Sequence, residues 1–138
     1  MDSSENEFLV DGIARIAHTS YQTIISSGNH TVIADEPTGQ GGADTGMSPY
    51  NLLLASLASC TAITLRMYID RKMWVVDDIA VNLQLFKNKQ GVLIESQLEF
   101  KGELNDEQKK RLITIADACP IHKILVGNIV INTSLKKA

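Results

Sequence analysis

Residues 50–65, in the middle of the chain, carry no charge, and this stretch predicts a buried helix. Apolar and small residues occupy every face of a helical projection of this stretch, so we expect other elements to surround the helix on all sides. Ser48 and Pro49 stand just before it, and a serine cap followed by proline in the first turn is typical of a helix start. A membrane span needs about 20 predominantly apolar residues, whereas serine, threonine and asparagine interrupt this stretch.

Strand patterns lie on both sides of the central helix. Residues 13–18 and 21–26 have a strand-like composition, and residues 31–34 follow a turn-like Ser-Gly-Asn, which together predict a three-stranded meander. Residues 79–85 and 92–100 alternate between apolar and polar positions around a turn-like segment. This second pattern predicts a hairpin with one buried face.

The last third of the chain predicts two helices and a final strand. Asn105 and Gln108 form a capping box, after which an apolar stripe predicts a helix. A short helix begins at Pro120 and ends near Gly127, and residues 129–135 have the composition of a strand. The predicted order is β-β-β-α-β-β-α-α-β, which is an α+β fold.

Composition limits the classes of protein that the chain can belong to. Its 138 residues are 44% hydrophobic, and we expect one domain over residues 10–138 behind a flexible acidic tail at residues 1–9. A net charge of −3 and the lack of a long basic run oppose binding to nucleic acid or to an anionic membrane. The N-terminus lacks the apolar core of a signal peptide, so we expect a cytoplasmic protein.

The chain has two cysteines, and both stand where thiol chemistry is favoured. Cys60 lies near the middle of the uncharged helix. Cys119 precedes Pro120 and is therefore expected at a helix start, where the helix dipole favours a thiolate. In the cytoplasm a lone cysteine pair is more often catalytic, redox-sensing or metal-binding than a structural crosslink. From these residues alone, an inert buried role for Cys60 stays open.

Zinc binding is a second interpretation of the same cysteines. Cys119 and His122 have Cys-x-x-His spacing, and Cys60 and His30 are conceivable further ligands. A single pair of this kind, without a second paired set, is a weak metal signal. We therefore expect no metal and no other cofactor.

The segments around the two cysteines resemble the OsmC/Ohr family of thiol-dependent peroxide reductases. The match rests on residues 48–62, Ser-Pro-Tyr-Asn-Leu-Leu-Leu-Ala-Ser-Leu-Ala-Ser-Cys-Thr-Ala, and on residues 119–125, Cys-Pro-Ile-His-Lys-Ile-Leu. Residues 34–37, the glycine pair 41–42 and residues 65–68 add to a resemblance that runs over nearly the whole chain. It implies an OsmC-like fold, in which an intertwined homodimer packs its central helices between two sheets.

The resemblance also implies a function and its partners. Cys60 would be the nucleophile that attacks an organic hydroperoxide, and Cys119 would be the resolving thiol that closes a disulfide with it. An external dithiol, of the dihydrolipoyl type or similar, would reduce that disulfide. The candidate supporting residues are Arg66, His30, Glu36, Tyr50 and His122.

The sequence departs from the better-known peroxidases of the family in its charged residues. Those proteins pair the reactive cysteine with an arginine from the N-terminal hairpin and a glutamate directly after the helix-opening proline. Here Tyr50 follows that proline, and Arg15 is the only arginine in the hairpin region and comes too early to match. The simpler interpretation of Arg66 is a pair with Asp70, one helical turn away. The alternative function is a non-enzymatic dimer of the same fold, either a binder of an apolar small molecule or a thiol redox sensor.

Overall fold

The computed structural model describes residues 5–137. Residues 1–4 of the predicted acidic tail lie outside this range. The chain divides into two compact units, Met1–Leu53 and Leu54–Ala138, and the long central helix begins in the first unit and continues through the second.

The first unit contains the predicted meander, which the structure confirms. Strands β1 (Ile13–Ile16), β2 (Thr23–Ser27) and β3 (His30–Ala34) form an antiparallel sheet in that order. The pairing of Ser27 with His30 leaves a two-residue turn between β2 and β3. Gly28 occupies its first position with a φ of 59°, a left-handed conformation that glycine adopts without steric cost.

A loop between β3 and the central helix is closed by the buried carboxylate of Asp35. Its Oδ1 accepts the N–H of Glu36 at 2.8 Å, and its Oδ2 accepts the N–H of Thr45 at 3.1 Å and the Thr45 hydroxyl at 2.6 Å. The Thr45 hydroxyl, together with backbone N–H groups, outweighs burial and holds the pKa of Asp35 below its ordinary value.

The central helix α1 (Pro49–Lys72) begins where the sequence predicts it. Ser48 Oγ accepts the N–H of Asn51 at 3.3 Å, which is the expected cap. The helix ends at Met73, which has a φ of 57°. By length and composition this helix could cross a membrane, but the core helix of a soluble protein passes the same test.

One chain buries only one side of α1, and burial on every face, which the homodimer would supply, stays a prediction. The buried residues of α1 form one stripe with a spacing of four: Leu57, Thr61, Leu65 and Ile69. Ile63 and Met67, on other faces, are 54% and 60% exposed. The reason is that the elements packed on this stripe cover only one side of a helix, whereas the apolar pattern covers the whole circumference.

The second unit contains the predicted hairpin, with strands longer than the alternation indicated. Strands β4 (Val76–Asn88) and β5 (Gly91–Gly102) are antiparallel, and the pairing of Asn88 with Gly91 leaves a two-residue turn. Side chains on one face of the hairpin, among them Leu98 and Phe100, pack against the core.

Two helices follow the hairpin, as predicted. Helix α2 (Asp106–Ala116) has the complete capping box: Asn105 Oδ1 accepts the N–H of Gln108 at 2.7 Å, and Gln108 Oε1 accepts the N–H of Asn105 at 2.9 Å. Helix α3 (Pro120–Val126) ends at Gly127. The hydrophobic core of this unit is a cluster of the buried residues Leu65, Ile69, Val76 and Leu112.

The final strand predicted at residues 129–135 is absent from the structure. This segment has strand-like residues but no assigned secondary structure, and Ile131 and Leu135 are 81% and 96% exposed. A strand persists only when its backbone N–H and C=O groups pair with a neighbouring strand. Within the described residues of one chain, no sheet edge pairs with this segment.

The core cluster predicts a large difference between two adjacent residues of α2. Leu112 is fully buried, whereas its neighbour Ile113 is 61% exposed. We expect Leu112→Ala to lower the free energy of unfolding by about 2–5 kcal/mol, because it removes buried methyl groups and leaves a cavity. Ile113→Ala, the matched control, should lower it by less than about 1 kcal/mol. Urea denaturation at one protein concentration measures both, and equal losses would contradict the assigned core.

Candidate active site

The two cysteines of the chain meet in the second unit. Both are free thiols: Cys60 is half-buried in the middle of α1, and Cys119 is fully buried. The two thiols lie close enough for each to shift the pKa of the other. The structure therefore brings together side chains that are 59 positions apart in the sequence.

Cys119 stands at the start of α3, as the sequence predicts. It is the cap residue of that helix, with Pro120 in the first helical position. Its sulfur accepts the backbone N–H of His122 at 3.4 Å. The Cys-x-x-His spacing thus results from a helix cap, in which His122 contributes its backbone.

The hydrogen bonds at this cap determine the acidity of Cys119. Burial alone would raise the pKa of a thiol, because it disfavours the charged form. Here the Cys60 thiol and the N–H groups of His122 and Ile121 outweigh burial, and the pKa of Cys119 is lowered below its ordinary value. Cys119 is therefore the thiol of the pair that holds a negative charge more easily.

Cys60 is shifted in the opposite direction. Burial raises its pKa, and the neighbouring Cys119 adds to the rise. The N–H of Ile121 and the hydroxyl of Thr64 oppose this rise only in part. When the pair loses its first proton, the charge is accordingly held mainly on Cys119.

Two threonines that were not predicted contact the thiols. The Thr64 hydroxyl is near Cys60, and its position one helical turn after that cysteine is a signal in the sequence. The buried Thr61 hydroxyl is near Cys119 and donates to Leu57 O at 2.9 Å. A hydroxyl has one proton, so Thr61 can donate to only one of these acceptors at a time.

Two of the predicted supporting residues lie in the same unit as the thiols. Arg66 Nη1 donates to Val76 O at 2.9 Å and is 3.7 Å from Asp70 Oδ1, so the expected pair with Asp70 is present. The His122 ring is 3.8 Å from Asp117 Oδ1. The side chains of both residues thus have partners other than a thiol.

The other three predicted supporting residues lie in the first unit. His30 is exposed at the start of β3. Glu36 and Tyr50 line one cavity of about 430 Å³, together with Gln40 and Ser48. Glu36 is half-buried there and Tyr50 is exposed.

No group of three or more His, Cys, Asp and Glu side chains that could hold a metal ion occurs among residues 5–137.

The chemistry that the thiol pair can perform follows from the exposure and acidity of its two sulfurs. A half-exposed thiol lies close to a buried thiol whose charged form is stabilised, and this arrangement suits reversible disulfide formation.

The fold is shared with many solved structures, of which 37 chains match. An OsmC-like protein from Mycoplasma pneumoniae has 21% sequence identity and a TM-score of 0.75, covering 88% of this chain and 90% of its own. The organic hydroperoxide resistance protein OhrB of Bacillus subtilis has 25% identity and a TM-score of 0.58, covering 88% of this chain and 93% of its own. An organic hydroperoxide resistance protein OsmC from Legionella pneumophila has 18% identity and a TM-score of 0.62, covering 90% and 93%.

Comparison with curated protein sequences gives no match. The description of the matching family model is OsmC-like protein, and it covers residues 41–134, which include all of α1 and both cysteines. This match covers well over half of the 138 residues. The chain belongs to the OsmC-like protein family.

Proposed function

We propose that this protein is a cysteine-based peroxidase that reduces organic hydroperoxides. A peroxide-related role is supported by the family, whose members include organic hydroperoxide resistance proteins. The observation that carries the proposal is the proximity of a half-exposed thiol, Cys60, to a buried thiol, Cys119. A peroxidase that closes a disulfide within one chain needs its two cysteines close together.

The proposed reaction has three steps. The Cys60 thiolate attacks the outer oxygen of the hydroperoxide, the O–O bond breaks, and the alkoxide leaves and takes up a proton, while Cys60 becomes a sulfenic acid. The Cys119 thiolate then attacks the Cys60 sulfur, and a disulfide forms as hydroxide leaves and is protonated to water. An external dithiol, such as a dihydrolipoyl group, reduces the disulfide by exchange and is itself oxidised.

Exposure and acidity support this division of roles. Cys60 is the thiol with part of its surface accessible, whereas Cys119 is fully buried, so a peroxide reaches Cys60 first. The lowered pKa of Cys119 suits the resolving role, because it makes the attacking thiolate easier to form. Arg66, His30, Glu36, Tyr50 and His122 remain candidate supporting residues.

The raised pKa of Cys60 favours a second candidate, a thiol redox sensor. A thiol that is mostly protonated at neutral pH reacts slowly with peroxide. A sensor needs one slow oxidation per event, while a peroxidase needs repeated turnover with a dithiol. Turnover therefore separates the two.

We further propose that the protein is a homodimer of the cytoplasm. OsmC-like proteins are soluble. In one chain, α1 exposes Ile63 and Met67, and the strand-like residues 129–135 lack a partner. A second copy that covers the helix and pairs with this segment would account for both features.

The test of the function is hydroperoxide consumption with dihydrolipoamide as the reductant. We expect repeated turnover with cumene hydroperoxide, and a loss of at least about 100-fold in Cys60→Ser, because the nucleophile is gone. Ser59→Ala, a change at the neighbouring exposed position of the same helix, is the matched control and should keep the activity. Cys119→Ser should consume about one equivalent of peroxide and then stop.

Mass spectrometry under non-reducing conditions follows the same reaction. One equivalent of peroxide should produce a Cys60–Cys119 disulfide in the parent protein and a Cys60 sulfenic acid in Cys119→Ser. A disulfide that forms without repeated turnover would favour the redox sensor over the peroxidase. Two free thiols after treatment would exclude both.

The pKa shift of Cys60 predicts how its reactivity depends on pH. The thiolate is the reactive form, so a raised pKa moves the rise in reactivity to higher pH. In Cys119→Ser, burial remains as the main cause, and alkylation of Cys60 by iodoacetamide should accelerate by up to about tenfold per pH unit between pH 6 and 8. The same variant unfolded in guanidinium is the control and should reach its midpoint at lower pH. A flat profile with full reactivity at pH 6 would show that a cation activates Cys60.

The dimer is tested by light scattering at micromolar concentration. We expect about twice the 15.1 kDa of one chain. Deletion of residues 129–137 should shift the protein toward the monomer, because it removes the unpaired strand-like segment. A monomeric parent protein would contradict the proposed assembly.

A further inference from the structure

A cavity at the C-terminal end of α1 is separate from the thiol pair and is rich in positive charge. It lies against α2 and has a volume of about 580 Å³, which is within the range of small-molecule pockets. Its lining includes two aromatic side chains, three cations and one carboxylate: Tyr68, Trp74, Lys72, Lys110, Arg111 and Glu107.

Tyr68 holds two of these cations in place. Arg111 Nε donates to the Tyr68 hydroxyl at 3.2 Å, and the Arg111 Cζ is 5.9 Å from the centre of the Tyr68 ring. The Lys72 Nζ is 5.6 Å from the same ring centre. These contacts orient the guanidinium and leave its terminal N–H groups for another acceptor.

Although Glu107 lines the same cavity, no carboxylate of the described residues lies within 4.0 Å of the three cations. Among the described residues, ion pairs within 4.0 Å are found only at Arg66 and His122. The chain has 16 acidic residues against 13 lysines and arginines, so carboxylates are not in short supply. Exposure on a solvated helix face would account for the presence of Lys110. It would not account for the position of Arg111, which Tyr68 orders at the wall of a cavity.

Trp74 adds a flat apolar surface to the same cavity. Its ring centre is 5.6 Å from that of Tyr68, at an interplanar angle of 75°, and the indole is only half-buried. An edge-to-face pair of this kind fixes the position of the indole. A planar ring can stack on an indole that is held in this way.

We propose that this cavity binds a small molecule that carries a phosphate group next to a planar ring, a class that includes the nucleoside monophosphates. A phosphate monoester has a charge of about −1.5 to −2 and three acceptor oxygens, which matches three unpaired cations better than a carboxylate does. Arginine is the side chain best suited to bind two such oxygens at once. The site requires neither thiol, so it is independent of the proposed peroxidase activity.

The only tryptophan of the chain reports binding, because it is Trp74 itself. We expect AMP to change its fluorescence in a saturable way, with an affinity that falls as NaCl is added. Adenosine, which has the ring without the phosphate, and inorganic phosphate, which lacks the ring, should each bind at least about tenfold more weakly. Equilibrium dialysis with radiolabelled AMP measures the affinity without relying on fluorescence.

Charge-removing variants assign the binding to this cavity. Arg111→Gln and Lys72→Gln should each weaken AMP binding by about tenfold, because each removes a charged contact to the phosphate. Both side chains are exposed, so the fold should be retained, and circular dichroism checks this. Lys109→Gln is the matched control: it removes the same charge from α2 outside the cavity lining and should weaken binding by less than about twofold.

Four results would overturn the proposal. The first is no AMP binding at millimolar concentration by dialysis, and the second is adenosine binding as tightly as AMP. The third is a loss in Lys109→Gln equal to that in Arg111→Gln, which would indicate a general charge effect. The fourth is inorganic phosphate binding as tightly as AMP, which would remove the planar ring from the ligand class.

Discussion

The buried stripe of α1 is the constraint on which both the core of the second unit and the thiol pair depend. Leu65 and Ile69 in its C-terminal half pack with Val76 and Leu112, and this packing fixes α2 against α1. Only three residues separate α2 from α3, so the start of α3 must also lie beside α1. The next buried residue of the stripe, Thr61, contacts Cys119 there. The packing of a few aliphatic side chains thus positions a sulfur atom of a residue that is not adjacent to any of them in the sequence.

Backbone N–H groups contribute to the polar surroundings of this sulfur. The N–H groups of Ile121 and His122, in the first turn of α3, point at Cys119 and add to the lowering of its pKa by the Cys60 thiol. Such dipoles cannot be removed by changing a side chain. The part of the pKa asymmetry between the two thiols that comes from these dipoles is therefore a property of where α3 begins.

Signals that extend over a few residues were sufficient to predict most elements of the fold. The Ser48–Pro49 start of α1, the Asn105–Gln108 box and the cap at Cys119 are of this kind, and the structure confirms each of them. What could not be predicted depends on packing between distant segments. The approach of Thr61 to Cys119 requires α1 and α3 to be in place, and the composition of residues 129–135 does not show whether a partner strand exists.

A long apolar helix gave the least reliable prediction. Its sequence shows that every face can be buried, but it does not show which molecule buries each face. Within one chain only the stripe through Leu65 is covered, and Ile63 and Met67 are exposed. The apolar pattern shows which faces of a helix need to be buried. It does not show whether another part of the same chain or a second molecule buries each face.

The closed loop around Asp35 has a consequence for how tolerance to substitution is interpreted in this chain. Its two oxygens accept three donors, from Glu36 and Thr45. With asparagine at this position, an amide N–H donor would face one of the donor groups. With alanine, all three donors would lose their acceptor in a buried place. These hydrogen bonds alone should make Asp35 as intolerant of replacement as a reacting residue. In a mutational scan, intolerance of substitution at this position would reflect the hydrogen bonds of the loop. Such intolerance alone would therefore not distinguish a structural carboxylate from a catalytic one.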